Sequence, residues 1–187
     1  MKAQTVQEEI QELEKELLAK KKRLAELRKE LSEDKVENYR FRTSENEEVT
    51  LLELFGDSDE IIVVHNMGKG CNYCTLWADG FNGVYRHMIE RAPFVVSTPD
   101  DPDIQKTIAA ERDWKFPLVS TKGTTFKEDM GFANGTSTRP GVSSFRKDEN
   151  GDVYHHASAP LGPGDDFCAV WHLFDLLPNG SGDFQPK

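Results

Sequence analysis

The chain has 187 residues, room for one ordinary domain and an appendage. Its 33 Asp and Glu outweigh 23 Lys and Arg, and the net charge of −10 argues against a nucleic-acid backbone or an anionic membrane surface as partner. No run approaches the ~20 apolar residues of a membrane span, no apolar leader core opens the chain, and three cysteines are too few for a disulfide framework. The composition therefore reads as a soluble protein of a reducing, cytoplasmic compartment.

Residues 4–32 contain neither Gly nor Pro and read as one helix. Val6, Ile10, Leu13, Leu17, Leu24, Leu27 and Leu31 fall on a/d heptad positions, with Lys20 interrupting the d series. The stripe suits either an amphipathic helix folded onto its own domain or a helix that joins two copies. Residues 1–35 carry nine basic and nine acidic side chains, so the whole negative charge resides in the remainder.

Beyond residue 39 the periodicity changes. YRFRTS and EVT alternate as two strands around Glu45-Asn46-Glu47, and LLELFG reads as a short helix closed by Gly56. EIIVVHNM (60–67) is continuously apolar and β-branched, the pattern of a strand buried on both faces. CTLWADGFNGVYRHMIER (74–91) reads as a helix, with Gly80 and Gly83 marking a kink. FVVST (94–98) is a second buried strand; Asp101-Pro102 opens another helix, and FPLVST (116–121) is a short strand. Residues 122–138 are polar and Gly-rich and read as a long loop. GVSSFRK-DENG-DVYHHAS is a hairpin by its turn residues, residues 165–177 form a last amphipathic helix, and residues 179–187 a flexible tail. Alternating β and α followed by a hairpin and a closing helix specifies a mixed sheet covered on both faces.

The chemistry centres on VVHNMGKGCNYC (63–74). Cys71 follows a buried strand and a Gly-containing loop, and Cys74 lies in the next helix. A sulfur at a helix start faces unpaired N–H groups and the positive end of the dipole, which favour its thiolate, and Lys69 adds positive charge. Cys71 is thus the expected nucleophile. Cys74, less open to water, is the expected resolving thiol that attacks a mixed disulfide on Cys71.

FRTSENEEVTLLELFGDSDEIIVVHNMGKGCNYC resembles the opening of thioredoxin-like and peroxiredoxin-like domains. With GCNYCTLWADGFNG, WKFPLVST, GVSSFRKDENGDVYHHAS and the charged N-terminal helix, residues 8–178 resemble one bacterial family, domain of unknown function 899. The resemblance implies a thioredoxin-like α/β fold and no established substrate. It also implies two further site residues. His65, six residues before Cys71, takes the place of the buried carboxylate that accepts the resolving thiol's proton. Pro140 takes the place of a cis-proline lying against the cysteine pair. Two positions differ from the broader pattern: Asn72-Tyr73 lacks the Pro of many C-x-x-C sites, and Gly68 stands where peroxiredoxins carry Thr.

Three rival readings stay open. Cys168 and His172, i and i+4 on the last helix, would complete a Cys₃His zinc set with Cys71 and Cys74. A peroxiredoxin-like peroxidase would use Cys71 with Arg139. An interaction module would use the heptad helix and keep the redox fold as scaffold. His155-His156 is a poorer metal candidate, because neighbours on a strand point to opposite faces. The expected organisation is a helix over 1–36, a thioredoxin-like domain over 37–178 and a tail over 179–187. The expected activity is thiol–disulfide exchange without a cofactor. Its partners would be a protein disulfide or a small-molecule thiol, in a chain that pairs through its N-terminal helix and binds neither nucleic acid nor membrane.

Overall fold

The computed structural model describes residues 5–187. The chain divides after Glu33 into two compact units. The first is built on α1 (Val6–Lys29). Its start is fixed by a capping box: the Thr5 hydroxyl accepts from the Glu8 N–H at 3.2 Å, and the Glu8 carboxylate accepts from the Thr5 N–H at 2.9 Å. Arg28 and Lys29 in the last turn complement the dipole, and no residue of the helix is buried.

The second unit holds β1 (Asp34–Val36), β2 (Arg40–Thr43), β3 (Glu48–Thr50), α2 (Leu51–Leu54), β4 (Glu60–His65), α3 (Asn72–Met88), β5 (Phe94–Thr98) and α4 (Pro102–Arg112). These are followed by β6 (Leu118–Ser120), α5 (Phe126–Asp129), β7 (Ala133–Asn134), β8 (Ser137–Thr138), β9 (Gly141–Lys147), β10 (Val153–Pro160) and α6 (Ala169–Phe174). Eight strands form one mixed sheet in the order β1-β10-β9-β4-β5-β6-β2-β3, and β7 pairs only with β8. β4, β5 and β6 run parallel through the crossovers α3 and α4, while β9 and β2 flank them antiparallel. β1 pairs with β10 through Asp34↔His155, so the expected helical unit of 1–36 gives up its last residues to the sheet edge. No described helix is long and apolar enough to cross a membrane.

Two apolar layers result from the period-2 alternation of the buried strands. Val64, Phe94, Val96 and Leu118 face one layer with Trp77, Ala78 and Phe81 of α3, Ile108 of α4 and Trp171 of α6. Ile61, Val63, Val95 and Val119 face the other with Leu51 of α2, Phe126 of α5 and Phe145 of β9. The stretch expected as a loop over 122–138 thus contributes α5, whose Phe126 is fully buried. α3 runs unbroken through Gly80 and Gly83, where an added Cβ would meet nothing. α6 is shorter than the expected 165–177. The Asp165 carboxylate accepts the N–H groups of Gly162, Phe167 and Cys168 and holds the chain in a turn up to Cys168.

Two expectations are corrected here. Among the described residues no peptide bond is cis, so Arg139–Pro140 is trans. The backbone there is carried by extended pairing, not by a tight reversal: Arg139 N–H donates to Phe132 O at 2.8 Å, and Leu161 N–H donates to Pro140 O at 3.1 Å. The tail also packs back onto its domain instead of projecting from it. The Phe184 ring lies 4.9 Å from Phe174 and 6.1 Å from Trp171, and Pro186 is buried.

Candidate active site

At the C-terminal end of β4 the chain turns through residues 66–70 into α3, the position where open α/β sheets place their ligands. The turn is built around two side chains. Asn66 Oδ1 accepts from the Gly68 N–H at 2.7 Å, and the Asp100 carboxylate accepts from the Lys69 N–H at 2.8 Å. Gly68 has φ +99°, which favours glycine, and a Cβ there would lie 2.9 Å from the Asp100 carboxylate and displace it from its bond to the Lys69 N–H.

Cys71 is the N-cap of the 17-residue α3, and its sulfur accepts from the Cys74 N–H at 3.1 Å. Cys74, at the third helical position, is buried, with 3% of its surface exposed. Its sulfur accepts from the Met67 N–H at 3.5 Å. Both are free thiols. The Cys71 thiol is pulled down to about 6, first by the hydrogen bond donated by the Cys74 thiol. The N–H groups of Cys74 and Tyr73 and the charge of Lys127 act in the same direction, against burial. Cys74 moves the opposite way: the hydrogen bond it gives Cys71 and its burial push its thiol up. The two sulfurs therefore share a proton that stays on Cys74, which leaves the negative charge on Cys71.

His65 ends β4 fully buried. Strand alternation turns it to the side of Ile61 and Val63, the layer opposite α3. Its ring stacks on Phe132 at 4.3 Å and lies 5.2 Å from Phe126. Its Nε2 is 2.8 Å from Ser143 Oγ, which continues to Ser158 Oγ at 2.7 Å and on to His155 Nε2 at 2.7 Å. Burial, then the nearby charges of Lys127 and His155, push the imidazole down to about 3. A neutral ring of such low basicity is a poor acceptor for a thiol proton, and its hydrogen bond and ring contacts go to Ser143, Phe126 and Phe132, not to sulfur.

Pro140 lies immediately before β9, whose Gly141 is paired with His65. Arg139 is exposed and donates from its guanidinium to Gly131 O at 3.2 Å. Among the described residues no three His, Cys, Asp or Glu side chains are grouped to hold a metal, which overturns the zinc set of Cys71, Cys74, Cys168 and His172. Cys168 is turned into the core beside Trp171, whereas His172 points to Asp166 and Asp175 on the exposed side of α6. Burial pushes the Cys168 thiol up.

The cysteine pair has neighbours that sequence reasoning missed. Lys127 of α5 is 5% exposed, and its ammonium donates to Asn66 O at 2.8 Å. Asn66 in turn donates from Nδ2 to Cys74 O at 3.4 Å. The only hint in the sequence is an aromatic residue directly before Lys127, in a stretch otherwise read as a polar loop. The tail also reaches the site: Asn72 Nδ2 donates to Pro186 O at 3.1 Å, and the Tyr73 hydroxyl bonds to Gln185 Oε1 at 3.1 Å. The dipeptide between the cysteines is thus tied to the end of the described chain.

The family described as "Bacterial protein of unknown function (DUF899)" matches residues 2–186. The chain belongs to this family. No curated protein matches it. Among solved structures, peroxidoxin BcpB from Mycobacterium tuberculosis is similar with TM-score 0.54 and 21% identity, over 65% of this chain and 81% of that one. Peroxiredoxin Q from Xanthomonas campestris is similar with TM-score 0.56 and 13% identity, over 65% and 79%. A peroxiredoxin-like protein from Aquifex aeolicus is similar with TM-score 0.52 and 15% identity, over 69% and 75%. At these identities the likeness establishes the fold: a thioredoxin-like α/β domain, here with a long N-terminal helix.

Proposed function

We propose that this DUF899 protein is a dithiol oxidoreductase that exchanges thiols and disulfides through Cys71 and Cys74. One observation carries the reading. The Cys74 N–H donates to the Cys71 sulfur at the start of α3 while the Cys74 thiol is buried beside it, an arrangement that favours thiolate at Cys71 and thiol at Cys74. That division of roles is what two-step exchange needs: a half-buried nucleophile that solvent still reaches, then a buried resolving thiol beside it. The partners are a protein disulfide or a small-molecule thiol, in a reducing, cytoplasmic setting, with copies of the chain paired through the stripe of α1.

The peroxiredoxin likeness favours a second reading, in which the Cys71 thiolate attacks a peroxide O–O bond and Cys74 resolves the sulfenic acid. Gly68 in the Thr position and Arg139 bonded to Gly131 rank this second.

The test is to oxidise the native chain, Cys71→Ser and Cys74→Ser with oxidised glutathione or hydrogen peroxide, then map disulfides by mass spectrometry. Native protein should form a Cys71–Cys74 disulfide. Cys74→Ser should trap a glutathione adduct on Cys71, and Cys71→Ser should form neither. Preferential modification of Cys168 would overturn the assignment. Rapid turnover of peroxide with slow reaction toward glutathione disulfide would favour the second reading.

A further inference from the structure

Lys127 is the only Lys, Arg, Asp or Glu buried among the described residues. Taking an ammonium out of water is expensive unless opposite charge compensates it. Yet Lys127 bonds to a neutral carbonyl, Asn66 O. The other end of that peptide group, the Met67 N–H, points to the Cys74 sulfur at 3.5 Å. Burial pushes the ammonium down, and the negative groups that oppose this are, in order, the sulfurs of Cys74 and Cys71, then Glu128 and Asp100. The same charge works in reverse, favouring ionisation of both sulfurs and disfavouring that of His65. Phe126, locked between Tyr39, Phe41 and Phe145, and the bond from Phe132 N–H to Lys127 O at 2.8 Å hold the residue in place.

We propose that the buried ammonium of Lys127 is the electrostatic partner of the dithiol and drives the resolving step by stabilising the thiolate of Cys74. The inference rests on the exchange reaction proposed above. In the first step the Cys71 thiolate attacks a disulfide RS–SR′: the Cys71–S–S–R bond forms, the S–S bond of the substrate breaks, and R′S⁻ leaves and takes a proton from water. Cys71 has now lost its charge. The ammonium is left buried without the counter-charge that Cys71 supplied, and the remaining sulfur on which it acts is Cys74. Ionising Cys74 restores the compensation, with its proton released to water. The Cys74 thiolate then attacks Cys71 Sγ, the bond to R breaks, and RS⁻ leaves and is protonated. Two cysteines are oxidised, one substrate disulfide is reduced to two thiols, and protons balance. The charge acts most strongly where the chemistry needs it, because the first step itself removes the competing anion.

The experiment uses the full chain with oxidised glutathione as the probe and follows the Cys71–glutathione adduct in quenched samples between pH 5.5 and 9. Lys127→Gln keeps a donor for the Asn66 carbonyl and drops the charge; Lys127→Met drops both, and Lys127→Arg keeps the charge. A nearby opposite charge lowers a thiol by about one pKa unit, and because nucleophilicity falls with basicity, adducts should persist about three- to fourfold longer at pH 7 in both neutral variants. The pH at which resolution is half-maximal should rise in both, and Arg should restore it in part. Native lifetime and pH profile in a folded Gln variant would overturn the role of Lys127. A slow Met variant beside a native-like Gln variant would overturn it too, by reducing the residue to a hydrogen-bond donor for the loop. Should Met fail to fold, Gln against Arg decides alone. If the native chain forms adducts but never a Cys71–Cys74 disulfide, the exchange reading itself falls; if native resolves normally and Gln matches it, only Lys127 does.

Discussion

The pH dependence of Cys71 alkylation is the sharpest consequence of the site's geometry. A thiol held near 6 is about 90% thiolate at pH 7, against about 3% for a free cysteine near 8.5, a roughly 30-fold excess of the reactive form. Intrinsic nucleophilicity falls with basicity, and a Brønsted slope of about 0.4–0.5 over about 2.5 units takes back roughly 10–18-fold. The expected advantage at pH 7 is therefore only about two- to threefold, too small to identify the residue. At pH 5.5 the thiolate fractions are about 24% and about 0.1%, and the net advantage grows to roughly 13–24-fold. The sign follows from the direction of the shift: a depressed thiol keeps its anion as pH falls, until pH passes its own pKa. Iodoacetamide labelling, read at Cys71 by peptide mass spectrometry, should slow only about fourfold from pH 7 to 5.5. Free cysteine run alongside should slow by about 30-fold. A Cys71 rate that falls tenfold per pH unit through this window would refute the argument that Cys74 and the start of α3 hold its charge.

Other expectations concern the supports of the site. His65→Ala removes the bond to Ser143 and the stack on Phe132 and should cost about 2–4 kcal/mol in urea unfolding, while the lifetime of a glutathione adduct on Cys71 stays native. An adduct prolonged by about a hundredfold would return a general-base role to this histidine. Gly68→Ala must hold φ near +99° and push its methyl into the Asp100 carboxylate, so a loss of about 1–3 kcal/mol is expected, and an unchanged melting temperature would contradict it. Deleting residues 179–187 strips Phe184 from Trp171 and Phe174, with an expected loss of about 1–2 kcal/mol and altered tryptophan fluorescence. Deleting residues 1–33 should lower the number of chains per particle seen by light scattering and leave the circular dichroism of the remaining domain intact; an unchanged number of chains would refute pairing through α1.

What the sequence determined by itself was local. The apolar run Ile61–Val64 specified a central strand because residues buried on both faces leave no polar alternation. Glycines and Pro102 marked the turns and a helix start, and C-x-x-C after a strand placed Cys71 at a helix N-cap. Each of these follows from neighbours within a few residues. The tertiary structure decided everything that depends on which face a side chain takes and on what lies opposite. The count of six residues before Cys71 located His65 correctly on β4 but said nothing of the pleat, which sends it to the layer opposite α3. Cys168 and His172 share a helix spacing, yet one enters the core and the other meets solvent. Lys127 lies 53 positions beyond Cys74 in a stretch read as polar loop. It reaches the cysteines only because Phe126 is drawn into the aromatic cluster beneath the sheet. Burial is a property of the packed layers, so neither that lysine's bond to the Asn66 carbonyl of the cysteine loop nor its place in a dry site is written in any local pattern of the chain.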